Sequence, residues 1–400
     1  MLVVSSFRCG SFFCLDVLVV QLLLFRKCSR VYNAVMANSG EHSRRDFLQG
    51  RAAARTLVDK AQAWVDASSE LLGVDSTSSG DLHLHASRWA MACEFAVQFH
   101  QQDQGAAEAM LEGLDLIEQL EAQMTIYRDT SEVIEINRNA AKMPVQVEPR
   151  LFEVLELANR LHLATDGAFD ITSSPLSRTW GFLSREGRFP GDEEIAAALD
   201  RVGGNKVQLD SEQRTIRFLE SGSEINLNSI GKGYALDRVA EQLDRQHVTD
   251  YLWHGGGSSV LSRGCNRDDR HQAWTLGLRH PLQPEHRIGE LHLRNQGLAT
   301  AGSGTQFFEY RGRRLSHIID PRTGWPVEGM LTATALAPSA AEADALATAF
   351  FVMGPEAVEA YCAANTEIGA VLVCAGKVPA GIAIHAFGMP PDSWTLLLNR

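Results

Sequence analysis

The sequence predicts an α+β domain with mixed, mainly antiparallel sheets and flanking helices. Strand and helix patterns follow one another without the regular βαβ order that produces a parallel sheet. Two pairs of short strand patterns, 207–209 with 215–218 and 307–310 with 315–319, are separated by polar turn residues and predict hairpins. Apolar residues at helical spacing predict two longer helices, at 106–124 and 150–163.

Composition narrows the class of protein. The 400 residues are 45% hydrophobic and 22% charged, which is typical of a globular chain with a substantial core. The formal net charge of -12, without a basic block, argues against a nucleic-acid partner because phosphate binding needs clustered Lys and Arg. The cysteines contain no CxxC pair, so their spacing predicts neither a zinc site nor a disulfide framework.

The first 87 residues are predicted to precede the main domain. Residues 1–50 are interpreted as a poorly structured segment or a degenerate export signal: Arg44-Arg45 is similar to a twin-arginine motif, but no apolar segment follows it. Residues 51–72 have helical character and 74–86 are typical of a linker, so the domain is predicted to span 88–400. Two localisations stay open, the cell envelope on its periplasmic side and the cytoplasm, and so does membrane association.

Further elements are predicted along the domain. The alternating stretch 91–99 predicts a strand, and 193–201 predicts a short helix. Residues 224–230 predict a strand that leads through a small-residue turn into a helix at 235–243. A longer helix is predicted at 340–353, and strands at 368–374 and 395–398.

The stretch 298–326 contains several residues that could bind a ligand or act in catalysis. Small residues at 300–304 predict a turn that lets backbone N–H groups approach a ligand. The predicted hairpin that follows carries His317 and ends in Asp320-Pro321-Arg322-Thr323-Gly324, which is a turn by its chemistry. On these residues alone, an active site and a polar hairpin with a capped turn are equal alternatives.

Two other segments predict binding sites for phosphates and metal. Residues 226–234 carry Lys232 beside a predicted helix N-terminus, an arrangement that suits an anion. Asp344 and Thr348 are four residues apart on a predicted helix, so they share a face. A carboxylate and a hydroxyl are hard-oxygen ligands suited to Mg²⁺. Asp344 and Thr348 also have an alternative interpretation without a metal: an acid in the first turn of a helix and a Thr whose hydroxyl bonds to the backbone.

The order of these motifs resembles that of the ApbE family, the FAD:protein FMN transferases. The run Ser316-His317-Ile318-Ile319-Asp320-Pro321-Arg322-Thr323-Gly324 is similar to the family's signature, and 343–349 is similar to its metal-binding segment at the expected distance. Segments at 91–93, 127–132, 165–172 and 180–182 also match in order, so the resemblance covers roughly 91–374. It implies a compact ApbE-type fold as a single catalytic domain.

The resemblance also implies the roles of individual residues. The expected FAD-binding residues are Met91, Tyr127, Asp170, Asn226, Lys232, Thr300 and Ile318. The expected Mg²⁺ ligands are Asp344, Thr348 and the backbone carbonyl of Ser229. His317 is the candidate general base because an imidazole titrates near neutral pH. Asp320 and Arg322 are candidates to orient the histidine or the phosphates.

The implied reaction transfers FMN from FAD to a Thr or Ser hydroxyl of a client protein, with Mg²⁺, and releases AMP. Two alternatives stay open: Mg²⁺-dependent hydrolysis of FAD to AMP and FMN, and flavin binding without catalysis. The chain departs from the family's usual residues at four positions of the expected site, namely Asn226, Ser259, Ala301 and Gly304. The departures at Asn226, Ser259 and Ala301 favour the non-catalytic alternative, whereas His317, Asp344 and Thr348 favour an enzyme.

Overall fold

The computed structural model describes residues 72–73, 83–100, 103, 106–184, 186–304, 307–376 and 381–397. The predicted export signal, the helical segment at 51–71 and residues 74–82 of the predicted linker lie outside this part of the chain. Among the described residues, no helix combines the length and the apolar character that crossing a membrane requires.

Helices and strands follow one another in an irregular order, as predicted. The helices are α1 (Ala107–Met124), α2 (Glu132–Asn139), α3 (Pro149–Ala164), α4 (Ser174–Thr179), α5 (Asp192–Leu199), α6 (Gly231–Arg245) and α7 (Ala340–Ala364). The first strands are β1 (Leu72–Gly73), β2 (His83–Ala90), β3 (Cys93–His100), β4 (Val145–Gln146), β5 (Val207–Asp210), β6 (Thr215–Phe218), β7 (Tyr251–Gly255) and β8 (Ser259–Arg263). The later strands are β9 (Trp274–His280), β10 (Gln283–Leu293), β11 (Gly297–Gly302), β12 (Phe307–Tyr310), β13 (Arg313–Ser316), β14 (Met330–Ala337), β15 (Gly369–Ala375), β16 (Ile382–Phe387) and β17 (Trp394–Leu396).

The largest sheet of the described residues has eight strands in the order β16-β15-β14-β11-β8-β7-β3-β2. Its neighbouring strands pair antiparallel throughout, which confirms the predicted sheet type. Smaller sheets are formed by β1-β9-β10-β17, by β4-β6-β5 and by the hairpin β12-β13.

The eight-stranded sheet is buried on both faces because its side chains alternate between two cores. Ala299 and Leu372 belong to the core shared with the helices, whereas their neighbours Leu298 and Val371 belong to a second core. That second core also contains Leu276 of β9 and Leu291 of β10, so the four-stranded sheet covers this face. Helix α6 packs against both α1 and α7, and α7 contacts β11 and β14.

The strongly periodic helices agree with their predictions. The predicted helices at 106–124 and 150–163 each match within one residue, since their apolar stripes face the core. Helix α7 is regular over the predicted 340–353; Gly354, with φ of 77°, and Pro355 then interrupt the helical backbone.

Several predicted boundaries are wrong, each for a local reason. Residues 83–86 of the predicted linker belong to β2, which pairs with β3 along its whole length. Met91 does not belong to a strand: Met91 and Ala92 form the two-residue turn of the β2-β3 hairpin, with φ of 50° and 58°. Residues 224–227 are not a strand, because Ile225 N–H donates to the side chain of Asn137 instead of to a ladder. Helix α6 begins four residues earlier than predicted.

The stretch 298–326 also differs in detail from its prediction. Thr300 to Gly302 are not a turn but the end of β11, where they pair with β14 from Thr334 to Thr332. The second strand of the hairpin ends at Ser316, so His317 follows the strand instead of lying within it. The predicted turn after Asp320 is confirmed, since the Gly324 N–H donates to the Asp320 carbonyl at 2.8 Å.

We expect Gly233→Ala to destabilise the protein strongly, whereas Gly231→Ala on the same helix does not. A Cβ atom at position 233 would lie 2.0 Å from the carbonyl oxygen of Ala340, so α6 and α7 could not keep their separation. At position 231 the nearest neighbour is a flexible Met124 methyl group at 3.7 Å.

Chemical denaturation measures both variants. Gly233→Ala should lower the free energy of unfolding by about 3 kcal/mol, and Gly231→Ala should change it by less than about 1 kcal/mol. Equal effects at the two positions would contradict the proposed backbone contact between α6 and α7.

Candidate active site

A cavity of about 470 Å³ opens between the N-terminus of α6, the end of β11 and the β2-β3 turn. All eleven residues selected from the sequence line it: Met91, Tyr127, Asp170, Asn226, Ser229, Lys232, Thr300, His317, Ile318, Asp344 and Thr348. They come from distant segments of the chain, and the fold brings every one of them to the same surface. Their chemical roles stay predictions.

The N-terminus of α6 forms one wall of this cavity. Ser229, Gly231 and Lys232 line it at the point where the helix begins. The N-terminus of a helix carries partial positive charge, so it favours anions. In α6, the N–H groups of Gly231 and Gly233 already donate to the Leu227 carbonyl and to Asp344. Lys232 adds a full positive charge to that wall.

Asp344 lies in the same wall and is held by two donors. The backbone N–H of Gly233 donates to Oδ2 at 3.0 Å, and the hydroxyl of Ser259 donates to Oδ1 at 2.9 Å. The side chain is only 7% exposed, so these bonds stabilise a carboxylate that has lost most of its water. Ser259 stands where the family commonly has Asp, and here it removes one negative charge while binding the remaining one.

The residues around Asp344 fit a small hard cation. Each carboxylate oxygen accepts one protein hydrogen bond and keeps a further lone pair. Thr348 and Ser229 line the same cavity and add oxygen atoms. The described residues contain no group of three or more His, Cys, Asp or Glu side chains that could hold a metal. A cation with few protein ligands, which completes its shell with water and phosphate oxygens, therefore suits this set.

His317 lines the cavity directly after β13. Its ring lies 6.4 Å from the ring of Phe182, at an interplanar angle of 71°. The following residue, Ile318, is anchored by Val327 N–H, which donates to its carbonyl oxygen at 2.9 Å. The histidine is thus placed by a fixed backbone on one side and an aromatic wall on the other.

Asp320 and Arg322 pair with each other, and their role in orienting the histidine or the phosphates stays a prediction. Arg322 donates from Nε and Nη2 to the two carboxylate oxygens of Asp320, each at 2.9 Å. The Asp320 carboxylate accordingly raises the pKa of Arg322 above its usual range. Neither residue lines the cavity, and the fork-shaped pair stabilises the turn instead.

Asp170 is fixed by a group that the sequence analysis missed, the side chain of His162. Nδ1 of His162 lies 3.0 Å from the Phe169 carbonyl and 3.3 Å from Oδ2 of Asp170. A carbonyl only accepts, so Nδ1 carries the proton. Thr172 donates from its N–H and its hydroxyl to Oδ1 of Asp170, at 2.7 and 2.6 Å. The seven-residue spacing from His162 to Phe169 crosses a helix end, where periodicity predicts no contact.

A second cavity of about 400 Å³ lies on the other side of this acid. It shares Asp170 and Pro321 with the first cavity and is also lined by His162 and Arg322. Asp170 therefore separates two concave surfaces.

The remaining predicted residues differ in burial. Tyr127 is 73% exposed at the cavity rim, which rules out a core role and leaves its ring accessible for stacking. Thr300 is buried and shares a hydrogen bond with Thr334 at 2.9 Å. Asn226 accepts from the N–H of Asn228 at 3.0 Å, so its side chain shapes the turn before α6. Cys93 also lines the cavity, and burial raises its pKa to about 12, which keeps it a neutral thiol.

Comparison with known proteins identifies the family. The sequence profile described as the ApbE family matches residues 91–372. This chain belongs to the ApbE family. It is 32% identical over 249 residues to an FAD:protein FMN transferase of Haemophilus influenzae, which covers 60% of this chain and 71% of that protein. An FAD:protein FMN transferase of Vibrio cholerae is 31% identical over 308 residues, which cover 76% of this chain and 91% of that protein.

Solved structures of the ApbE family have the same fold. The flavinyl transferase ApbE of Pseudomonas stutzeri, in its apo form, superposes with a TM-score of 0.68 at 27% identity and covers 77% of this chain and 95% of its own. The flavin transferase ApbE of Vibrio cholerae superposes with a TM-score of 0.67 at 28% identity, covering 77% and 98%. The predicted ApbE-type α+β fold is confirmed.

Asp237 of α6 accepts hydrogen bonds at the first turn of α7, and we expect its contribution to stability to depend on pH. Its carboxylate accepts from the N–H groups of Ala340 and Ala341, both at 2.8 Å. Burial raises its pKa from 3.8 to about 6, although the two N–H donors act in the opposite direction. A pKa raised by folding means that the contribution is fully present below about pH 4 and is lost as the pH rises through about 6.

The measurement is the free energy of unfolding of wild type and Asp237→Asn between pH 4 and pH 7. The advantage of the wild type should be largest at pH 4 and fall by up to about 3 kcal/mol by pH 7. Ser339→Ala is the matched control: it removes the hydroxyl that accepts from Glu342 N–H at the same helix end. It should cost about 1 kcal/mol at every pH. A difference for Asp237→Asn that stays constant with pH would overturn this assignment.

Proposed function

We propose that this protein transfers FMN from FAD to a Thr or Ser hydroxyl of a client protein and releases AMP, with Mg²⁺ as the metal. The observation that carries the proposal is that the eleven residues implied by the family resemblance, from distant segments of the chain, all line one cavity. The names of the relatives supply the substrate, since those proteins are FAD:protein FMN transferases.

The cavity provides complementary surfaces for the parts of FAD. Its volume of about 470 Å³ is within the usual range of small-molecule sites. The exposed ring of Tyr127 offers a stacking surface for the isoalloxazine. The N-terminus of α6 and Lys232 favour the negative pyrophosphate, which in this orientation faces Asp344.

The transfer step exchanges one phosphorus–oxygen bond for another. The client hydroxyl oxygen attacks the phosphorus of the FMN half, and the bond from that phosphorus to the bridging oxygen breaks. AMP leaves with the bridging oxygen and the bonding electron pair, and the hydroxyl proton passes to a neutral His317. Catalysis of this kind depends on in-line positioning and on neutralising phosphate charge. Lys232 and the α6 N-terminus supply part of the positive charge that neutralises the phosphates.

Asp344, Thr348 and the Ser229 carbonyl would hold the cation. Bound there, Mg²⁺ supplies Lewis-acid polarisation of the phosphate oxygens. The Gly233 and Ser259 hydrogen bonds keep the Asp344 carboxylate directed into this wall.

One experiment separates the three possible activities. The purified chain is incubated with FAD and Mg²⁺, with and without a Thr-containing acceptor peptide, and AMP and peptide mass are followed. A peptide mass increase equal to one FMN moiety supports transfer. AMP without peptide labelling would establish FAD hydrolysis instead, and FAD binding without AMP would establish a non-catalytic flavin protein.

Asp344→Asn should abolish Mg²⁺-dependent turnover and keep the fold. The amide oxygen can accept from Gly233 N–H, and the amide NH₂ can donate to a rotated Ser259 hydroxyl, so the local bonds survive. Loss of the only carboxylate in this set should lower turnover by at least about 100-fold. Turnover across a Mg²⁺ titration measures the effect, and flavin fluorescence measures FAD affinity. Glu342→Gln, two residues earlier on α7, is the control; wild-type turnover by Asp344→Asn would show that the metal site lies elsewhere.

His317→Ala should lose most FMN transfer while FAD affinity is retained. A general base contributes about two to four orders of magnitude in rate. Single-turnover transfer to the peptide, read by mass, gives the rate, and His286→Ala at an exposed position of β10 controls for loss of a histidine. If His317→Ala transfers FMN at nearly the wild-type rate, the histidine is structural. Asp320 could not replace it, because its carboxylate is paired with Arg322.

A further inference from the structure

The most basic short segment of the sequence lies immediately before His317. Residues 307–316, Phe-Phe-Glu-Tyr-Arg-Gly-Arg-Arg-Leu-Ser, contain three arginines and one glutamate. No other window of four residues in the sequence contains three Lys or Arg residues. The chain as a whole has a net charge of -12, so this concentration of positive charge opposes the average.

The structure places this segment in the β12-β13 hairpin. Arg311 and Arg314 are both exposed, and neither forms an ion pair with a carboxylate of the described residues. Glu309 lies directly opposite Arg314 in the strand register, yet the two do not pair. We name the exposed side chains of Phe307, Arg311 and Arg314 the hairpin surface; Phe307 and Arg314 share one face of the hairpin with Glu309, and Arg311 lies in the turn.

Two arginines outside the hairpin are paired with carboxylates: Arg178 with Glu224 and Arg188 with Glu194, each at 2.7 Å. Arg311 and Arg314 have no carboxylate partner among the described residues, although Nη2 of Arg314 donates to the Ser303 and Gly304 carbonyls, at 3.3 and 3.4 Å.

Stacking on aromatic rings holds both guanidinium groups. The Arg314 guanidinium lies 3.6 Å from the centre of the Phe307 ring, and that of Arg311 lies 5.2 Å from the Tyr310 ring. Phe307 is itself 42% exposed. A guanidinium stacked on a ring keeps edge N–H groups for bidentate binding of a carboxylate.

The hairpin surface is connected to the cavity by short, well-packed links. Arg314 and His317 are three residues apart, so their Cα atoms are at most about 11 Å apart. Nη2 of Arg314 lies 3.3 Å from the Ser303 carbonyl, which closely follows cavity residues of β11. On the opposite face, Phe308 packs against Phe182, which also lines the cavity. A segment bound on the hairpin could thus reach His317 within a few residues.

We propose that the hairpin surface binds an acidic segment of the client protein next to the Thr or Ser that accepts FMN. This proposal rests on the proposed transferase function and adds the chemistry by which the client is recognised. Carboxylates of the client bind Arg311 and Arg314, and an apolar side chain covers Phe307. The acceptor hydroxyl then lies at the cavity opening beside His317.

The test uses two acceptor peptides, each with a single Thr. In the first peptide the Thr is flanked by Asp and Glu, in the second it is flanked by Lys, and the peptides are otherwise identical. FAD-loaded wild-type protein should have about tenfold lower KM for the acidic peptide at low ionic strength, and the preference should shrink as salt is added. Arg311→Glu with Arg314→Glu should raise that KM about tenfold or more, with FAD affinity and rate at saturating peptide unchanged. Arg214→Glu with Arg217→Glu on the exposed β5-β6 hairpin makes the same charge change away from the cavity and should leave KM unaltered.

The possible failures are distinguishable. Equal KM values for the two peptides in the wild type, or an unchanged KM in the Arg311/Arg314 variant, would overturn the docking proposal while transfer itself stands. If neither peptide receives FMN, the proposed function fails. Fluorescence anisotropy of a labelled acidic peptide then tests whether the hairpin surface of FAD-loaded protein binds it. Loss of binding in the Arg311/Arg314 variant supports the docking proposal, and equal binding by wild type and variant overturns it.

Discussion

The site depends on one buried contact, between the Asp344 carboxylate of α7 and the N-terminus of α6. An ionised carboxylate is costly to bury unless donors replace its water, and here Gly233 N–H and the Ser259 hydroxyl do so. The contact exists only because position 233 has no side chain, since a Cβ would collide with the Ala340 carbonyl. The same helix end presents Lys232 to the cavity. One helix–helix contact therefore places the expected metal ligand and the expected phosphate-binding group side by side.

Two of the positions that depart from the family's usual residues, Asn226 and Ser259, keep hydrogen bonds and lose charge. Asn226 retains a turn-forming bond to Asn228 N–H, and Ser259 donates to Asp344. Gly304 is exposed and would admit a Cβ without any neighbour within 4 Å. A cavity with fewer carboxylates attracts a divalent cation less strongly by itself. A divalent cation in the proposed site would therefore rely more on the phosphate oxygens of the substrate, and its binding would be coupled to that of FAD.

The sequence predicted helices and strands well where a local pattern determines them. It predicted the residues that line the cavity well because the resemblance supplied long-range information. The stripe of Met110, Leu114 and Ile117 determines α1 within one residue. No local pattern brings Tyr127, Asp170 and Asp344 together; the ordered match to a family did so. Short-range patterns failed where pairing with a distant strand determines the backbone conformation. The small residues at 300–302 predict a turn, but hydrogen bonds to β14 make them part of strand β11. The contacts of His162 with Asp170 and of Asp320 with Arg322 depend on side-chain geometry that spacing does not specify.

The β2-β3 turn shows how this fold maintains an unfavourable backbone at the cavity. Met91 and Ala92 both have positive φ, which costs a residue with a side chain about 1 kcal/mol or more relative to the right-handed region. The register leaves the chain no alternative, because Ala90 pairs with Cys93 and the two strands are hydrogen-bonded along their length. Cys93 is then buried against Gly256, where any added Cβ would lie 2.9 Å from it. The strand ladder and the buried thiol thus hold the Met91 backbone at the wall of the cavity, and the stability of the sheet compensates for the local strain.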